Sequence, residues 1–161
     1  MKINNKIING FIIIGIICLI ISLVLMLRNN DRVDNHIKEI NFNEYQEIIK
    51  KDDYNVILLT SPTCSHCKSY KKYVNYVCDS YNIEVYSLNI DELKFEEYLL
   101  VHDKYSATKD KYLEDKPSIL TPTTIIIKND EEVKSISGNL GYSGFLELLE
   151  EYGIIKSDLN W

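Results

Sequence analysis

Alanine is almost absent from this sequence, Ala107 being the single one in 161 residues. Proline and glycine are sparse, at three and six, which excludes collagen-like and low-complexity architectures. The four cysteines contain one Cys-x-x-Cys and no second, although a four-thiolate zinc site needs two. Basic charge is short as well. All 24 acidic residues lie after residue 30 but only 15 of the 18 basic ones do, leaving that part at a net charge of −9. So acidic a surface excludes a nucleic-acid partner and disfavours anionic lipid head groups. In place of alanine the chain is rich in Asn, Ile, Lys and Tyr, the bias of an AT-rich genome such as that of a low-GC bacterium.

Charge is missing altogether between Lys6 and Arg28, where Ile7 to Leu27 is nearly unbroken in Ile, Leu and Val. At about 1.5 Å per residue, a helix of that length spans the roughly 30 Å hydrocarbon core of a bilayer. The pattern predicts a short basic leader at 1–6, an uncleaved transmembrane anchor at 7–27 and a polar linker at 28–35. A folded domain at 36–155 and a tail at 156–161 complete the chain. A cleaved signal peptide would have a shorter apolar core and a small-x-small site, which Leu23-Val24-Leu25-Met26-Leu27 does not offer. Cys18, preceded by Ile16 and Ile17, does not fit a lipoprotein signal and reads as an apolar residue of the anchor. Lys2 and Lys6 on one side balance Arg28, Arg32 and Lys38 on the other. The basic leader followed at once by an apolar core then favours a single-pass cell-membrane protein with its domain extracytoplasmic.

What organises the rest is Thr60-Ser61-Pro62-Thr63-Cys64-Ser65-His66-Cys67-Lys68. The β-prone run Val56 to Leu59 enters it, and a helical pattern follows immediately. A cysteine at the first turn of a helix faces unpaired backbone N–H groups and the positive end of the helix dipole, which stabilise a thiolate. A second cysteine three residues on is close enough to resolve a mixed disulfide, so the turn supports thiol–disulfide exchange. The helix carries Cys67, Tyr70, Val74, Val77, Cys78 and Tyr81 on one face, which makes Cys78 a buried apolar residue.

Other elements read as an edge strand at His36 to Ile40, then a helix with Phe42, Tyr45, Ile48 and Ile49 inward and Asn43 as its N-cap. Tyr54 to Thr60 and Ile83 to Asn89 are strands, and Asp91 can cap a helix running to about His102. Lys104 to Ser118 reads as a surface loop or marginal helix. Leu120-Thr121-Pro122-Thr123 leads into a β-branched strand, Asn129-Asp130 turns it into a partner strand over Glu132 to Ser137, and Ser143 to Tyr152 forms a closing helix.

From His36 to Tyr152 this chain resembles a thioredoxin-fold domain, an α/β fold with a central mixed sheet flanked by helices. The resemblance is carried by Cys64-Ser65-His66-Cys67 after a hydrophobic strand, Leu88-Asn89-Ile90-Asp91, Thr121-Pro122-Thr123 and a Gly-rich step into the last helix. It implies that Cys64 is the attacking thiolate and Cys67 the resolving thiol of a redox-active disulfide. It also implies a cis Pro122 facing the pair, and a Thr121 backbone that pairs with an extended substrate. No cofactor beyond the dithiol is implied; the partners are protein thiols or disulfides and a redox partner protein.

Three departures stand out. Thr63 replaces the family's tryptophan, Leu58 stands where it places a buried acid, and Glu92 to Leu120 is longer. His66 either donates to the Cys64 thiolate or is an exposed loop residue, and its place beside the first sulfur favours the former. A metal site would use Cys64, His66 and Cys67 with His36 or His102, but the cysteine spacing fits it poorly, so no metal is expected. The combined expectation is a membrane-anchored protein-disulfide oxidoreductase. The alternative is an accessory or assembly factor, for peptide export or metal delivery, whose dithiol serves binding.

Overall fold

Strand β2 (Asn55–Thr60) is buried along its whole length, so apolar cover is required on both of its faces. The computed structural model describes residues 15–18, 20, 22 and 36–156, and the cover comes from within 36–156. Before β2 lie β1 (Ile37–Ile40) and α1 (Phe42–Ile48); after it lie α2 (Ser65–Tyr81), β3 (Val85–Asn89), a 3-10 turn (Ile90–Glu92) and α3 (Phe95–Lys104). A short hairpin, β4 (Tyr112–Leu113) and β5 (Lys116–Pro117), precedes β6 (Thr123–Lys128), β7 (Glu131–Ser137) and α4 (Gly141–Glu151).

The main sheet has the order β1-β3-β2-β6-β7. Its β1–β3 and β2–β3 pairs are parallel, and its β2–β6 and β6–β7 pairs antiparallel. Successive side chains alternate between faces. Val56 and Leu58 therefore pack with Tyr70, Val74 and Cys78 of α2 and Phe145 and Leu149 of α4, while Ile57 and Leu59 pack with Tyr45 and Ile48 of α1 and Val101 of α3. Each fully buried aliphatic side chain contributes about 1.5–3 kcal/mol. Two buried polar pairs add to this packing, Tyr70 Oη to Thr124 Oγ1 at 2.8 Å between α2 and the sheet and Tyr45 Oη to Tyr105 Oη at 2.6 Å between α1 and the end of α3. Burial pushes the Tyr45 hydroxyl up to about 12, with the Tyr105 hydrogen bond opposing it.

The expected central mixed sheet flanked by helices is present. The single-pass anchor expected over 7–27 is corrected, and the membrane partner and extracytoplasmic placement that rested on it go with it. Among the described residues no helix is long and apolar enough to cross a membrane. A crossing takes about 20 consecutive apolar helical residues. In that stretch only 15–18, 20 and 22 are described, and they are helical and exposed. The remainder of 7–27, the leader at 1–6 and the linker at 28–35 lie outside the described residues.

Local chemistry moves several boundaries. Asn41, not Asn43, caps α1: its Oδ1 accepts from the N–H groups of Asn43 and Glu44, and Glu44 returns the bond to the Asn41 N–H at 2.9 Å. Asp91 lies in the 3-10 turn, and α3 starts four residues later, where Glu97 accepts from the Lys94 N–H at 2.9 Å. Helix α4 starts at Gly141, whose N–H donates to Asn139 Oδ1 at 2.9 Å. The turn at Asn129-Asp130 is as expected, both residues having positive φ, 51° and 66°.

The segment expected to be a loop or marginal helix is built differently. Tyr105 and Thr108 are fully buried beneath it, and β4 pairs with β5. His102, also fully buried, donates through Nε2 to the Lys111 carbonyl at 2.8 Å, has Asp103 Oδ1 2.7 Å from Nδ1, and meets the Tyr112 ring edge-on at 5.5 Å. The hairpin thus stands on a polar anchor that no hydrophobic periodicity announces.

Phe145 is fully buried and meets Tyr70 edge-to-face at 6.0 Å. Phe145→Ala should lower unfolding free energy by about 3–5 kcal/mol through lost burial and a residual cavity. Urea denaturation followed by far-UV circular dichroism measures it; a loss below about 1 kcal/mol would mean that this face is not a packed core.

Candidate redox site

Strand β2 ends at Thr60, and the four residues 61–64 carry the chain from the end of this central strand to the first turn of α2. That connection is held by side chains. Ser61 Oγ donates to Asp91 Oδ2 at 2.7 Å, and it accepts from the Thr63 N–H at 3.3 Å and from the Thr63 hydroxyl at 2.9 Å. The Cys64 N–H donates to the Ser61 carbonyl at 3.2 Å. Beneath, Thr60 Oγ1 and Ser87 Oγ lie 3.0 Å apart across β2 and β3.

Cys64 is the N-cap of α2, with extended backbone (φ −79°, ψ 111°), and its Sγ accepts from the Cys67 N–H at 3.1 Å. A sulfur occupies the position that a serine or aspartate oxygen usually takes, and one of the orphan N–H groups of the helix is satisfied by it. The first turn of α2 carries no acidic residue to offset the dipole there. On its other side the Cys64 thiol donates to the Thr121 carbonyl at 3.4 Å. The Thr121–Pro122 peptide is cis, and Pro122 is buried. Residues 57 positions apart in sequence therefore meet at one sulfur.

The two cysteines differ. Cys64 is partly exposed and Cys67 buried, and both are free thiols. Burial acts to raise the Cys64 pKa, but hydrogen bonds from the Cys67 thiol, the Thr121 side chain and the backbone N–H groups of Cys67 and His66 outweigh it and hold Cys64 below the ordinary thiol value. Cys67 goes the other way, raised by burial and by its hydrogen bond with Cys64. Cys78, fully enclosed in the core, is pushed up to about 12 by burial.

The other residues singled out in the sequence fall as follows. The backbone N–H of His66 serves Cys64, while its ring is exposed and makes no hydrogen bond or ion pair among the described residues. His36 lies 3.2 Å from the Ile83 carbonyl through Nδ1 and 3.5 Å from Asp79 through Nε2, and His102 is bound in the hairpin anchor. The alternative metal set is thus not assembled: among the described residues no three His, Cys, Asp or Glu side chains are grouped to hold an ion. Leu58 is fully buried in the core, and Cys67 lines a cleft of about 760 Å³ together with Glu39, Lys71 and Glu92. Ser61 and Asp91 escaped the sequence reading as a pair. In sequence Asp91 reads as a helix cap, and only the fold brings the two together.

No family model matches this chain. The NADPH-dependent thioredoxin reductase 3 of Arabidopsis thaliana is 31% identical over 96 residues, a match that covers 59% of this chain but 15% of that protein's length. Solved structures are similar over most of their length. Thioredoxin f2 of Chlamydomonas reinhardtii superposes with a TM-score of 0.58 at 11% identity, covering 74% of this chain and 99% of that one. The thioredoxin of Plasmodium falciparum gives 0.54 at 19% identity, covering 72% and 99%. That of Fasciola hepatica gives 0.53 at 16%, covering 71% and 97%. The fold of this chain is thioredoxin-like.

Proposed function

We propose that this protein is a thiol–disulfide oxidoreductase acting on protein disulfides through Cys64 and Cys67. The observation that carries the reading is the asymmetry of the pair. One sulfur is partly exposed, held at a helix N-terminus and favoured as thiolate; the other is buried three residues on and favoured as thiol. The thioredoxin-like fold supports the same reading.

In the reductive direction the Cys64 thiolate attacks one sulfur of a substrate disulfide, forming a mixed disulfide and releasing the other substrate sulfur as thiolate, which takes up a proton. Cys67 then loses its proton, attacks Cys64 Sγ and expels the second substrate thiolate, leaving Cys64–Cys67 oxidised and the substrate reduced by two electrons. The oxidative direction is the reverse. Thr121 and Pro122 border the sulfur where the substrate chain must lie: the Thr121 carbonyl accepts from the Cys64 thiol, while the Thr121 side chain acts to lower the Cys64 pKa. Cys78 takes no part, since its raised pKa and complete burial deny it both thiolate and access.

Cys64→Ser should abolish insulin disulfide reduction, and Cys67→Ser should accumulate covalent mixed disulfides visible on non-reducing gels. Cys78→Ala should retain most of the turnover. Trapping by the Cys64 variant and none by the Cys67 variant would reverse the roles.

In a Cys18→Ser background, iodoacetamide should label Cys64 with a rate that rises with pH through an inflection below the ordinary thiol value of about 8.5. The sign follows from the depressed folded pKa. The stability that Cys64 lends the reduced fold is present above the unfolded thiol's value and is lost as pH falls through the folded one. An inflection at or above the ordinary value would remove Cys64 from the attacking role.

Stabilising the Cys64 thiolate stabilises the reduced protein and makes its disulfide more oxidising. Equilibration with glutathione should give a potential between roughly −270 mV and roughly −120 mV. Thr121→Val, which removes the hydroxyl that acts to lower the Cys64 pKa, should shift it to a more negative value; an unchanged potential would separate Thr121 from thiolate stabilisation.

A further inference from the structure

Ser61 bears on both halves of the dithiol, and its side chain is held from outside the redox turn. Its carbonyl accepts from the Cys64 N–H at 3.2 Å. Its own backbone N–H acts on the other sulfur: burial, the largest influence, and the hydrogen bond with Cys64 raise the Cys67 thiol, while the Ser61 backbone acts to lower it. A donor turned towards a sulfur favours thiolate over thiol. Among the described residues no carboxylate hydrogen-bonds either sulfur. The Thr121 side chain acts on both sulfurs, so it does not tell the two apart. Ser61 and Cys67 also line one cleft, of about 760 Å³.

A peptide N–H keeps its direction only if the residues on both sides of it are fixed. Upstream, Thr60 pairs with Asn89 at the end of the parallel β2–β3 ladder, and its hydroxyl lies 3.0 Å from Ser87 Oγ. Downstream, Pro62 and Thr63 are exposed and belong to no strand or helix. The Ser61 hydroxyl takes over there, donating to Asp91 Oδ2 at 2.7 Å and accepting from the Thr63 N–H at 3.3 Å. A carboxylate acceptor makes the first of these a short, charge-assisted bond. Asp91 is set in turn by the 3-10 turn after β3, where its N–H donates to Asn89 Oδ1 at 3.1 Å. The strand partner of Thr60 thus also places the carboxylate that fixes Ser61.

We infer that Ser61 and Asp91 are a positioning pair for the second step of exchange, holding the Ser61 N–H towards the Cys67 sulfur as that sulfur becomes the attacking thiolate. The inference rests on the oxidoreductase reading and divides its two steps between two sets of groups. In the first step Cys64 is served by the Cys67 N–H and the Thr121 carbonyl, neither of which is bonded to Asp91. In the second, Cys64 Sγ already carries the substrate sulfur. Cys67 gives its proton to water and attacks Cys64 Sγ; the Cys64–Cys67 bond forms, the bond to the substrate breaks, and the substrate sulfur leaves as thiolate. That step draws on the Ser61 amide. Asp91 acts through Ser61, and Ser61 through Cys67.

The test uses the full-length reduced chain in the Cys18→Ser background, mixed by stopped flow with one equivalent of dithiobis-nitrobenzoate. Attack by Cys64 releases one coloured nitrobenzoate thiolate and resolution by Cys67 releases the second, so the steps appear as two phases. Asp91→Ala should leave the first rate within about twofold and slow the second about tenfold, the scale of one lost hydrogen bond to a charged group. Asp91→Asn, whose amide oxygen still accepts from Ser61, should restore most of the second rate. Asp91 is exposed, so neither change threatens the fold. Ser61→Ala should match Asp91→Ala, and the double variant should be no slower than either, because all three remove the same interaction. Equal slowing of both phases would make the pair a general brace of the turn and overturn the inference, as would a second phase that Asp91→Ala leaves unchanged. A parent chain that releases a single equivalent would overturn the oxidoreductase reading and the inference with it, whereas two phases indifferent to Asp91→Ala would overturn the inference alone.

Discussion

A sulfur serving as a helix cap ties the chemistry of this protein to its secondary structure. The Cys67 N–H that reaches Cys64 Sγ at 3.1 Å is one of the donors that any helix leaves unpaired at its start. With a Ser or Asp in that place, the helix would be capped and chemically inert. With cysteine, the bond that begins the helix also favours thiolate over thiol. The same residue that donates it carries the second sulfur, so capping, thiolate stabilisation and the spacing of the pair are one local arrangement.

That arrangement has to be held against a partner far away in sequence, and the sheet provides for it. Strand β2 lies between β3 and β6 and is covered by helices on both faces, so the end of β2 is fixed relative to the start of β6 by paired backbone and packed Ile and Leu side chains. Cys64 leaves from the first and Thr121–Pro122 enters the second. Ser61, bonded to Asp91 just beyond β3, fixes the intervening turn from the third strand. A distance of 3.4 Å between Cys64 Sγ and the Thr121 carbonyl is thus set by three strands at once.

The legible parts of the sequence were those whose chemistry is local. The dithiol, the Thr121-Pro122 step, the Asn129-Asp130 turn and the amphipathic face of α2 each announce themselves within a few residues, and with the strands between them they give the fold. The hairpin at 112–117 did not, because its strands are two residues each and depend on His102, Tyr105 and Thr108, whose burial arises from contacts made elsewhere. The orientation of His66 was illegible for a related reason: spacing puts the residue beside the sulfur but says nothing about which way its ring turns. Over 7–27 the apolar run led to an expected membrane crossing from hydropathy alone, and no described helix has the length that a crossing requires.

The sheet has two outer strands, and an outer strand ordinarily offers its unpaired backbone to a neighbouring molecule. Here β1 is four residues long with Lys38 and Glu39 exposed. Along β7, side chains bind the loop that follows α3: Glu132 accepts from the Ser106 N–H at 2.7 Å, Ser135 Oγ from the Ala107 N–H at 2.9 Å, and Ser137 Oγ donates to the Ala107 carbonyl at 3.3 Å. One margin is too short and too charged to template another strand, and the other has its own chain laid against its side chains. Edge-to-edge stacking of copies, the first step towards a cross-β aggregate, is opposed on both sides, and the five-stranded sheet ends where it is drawn.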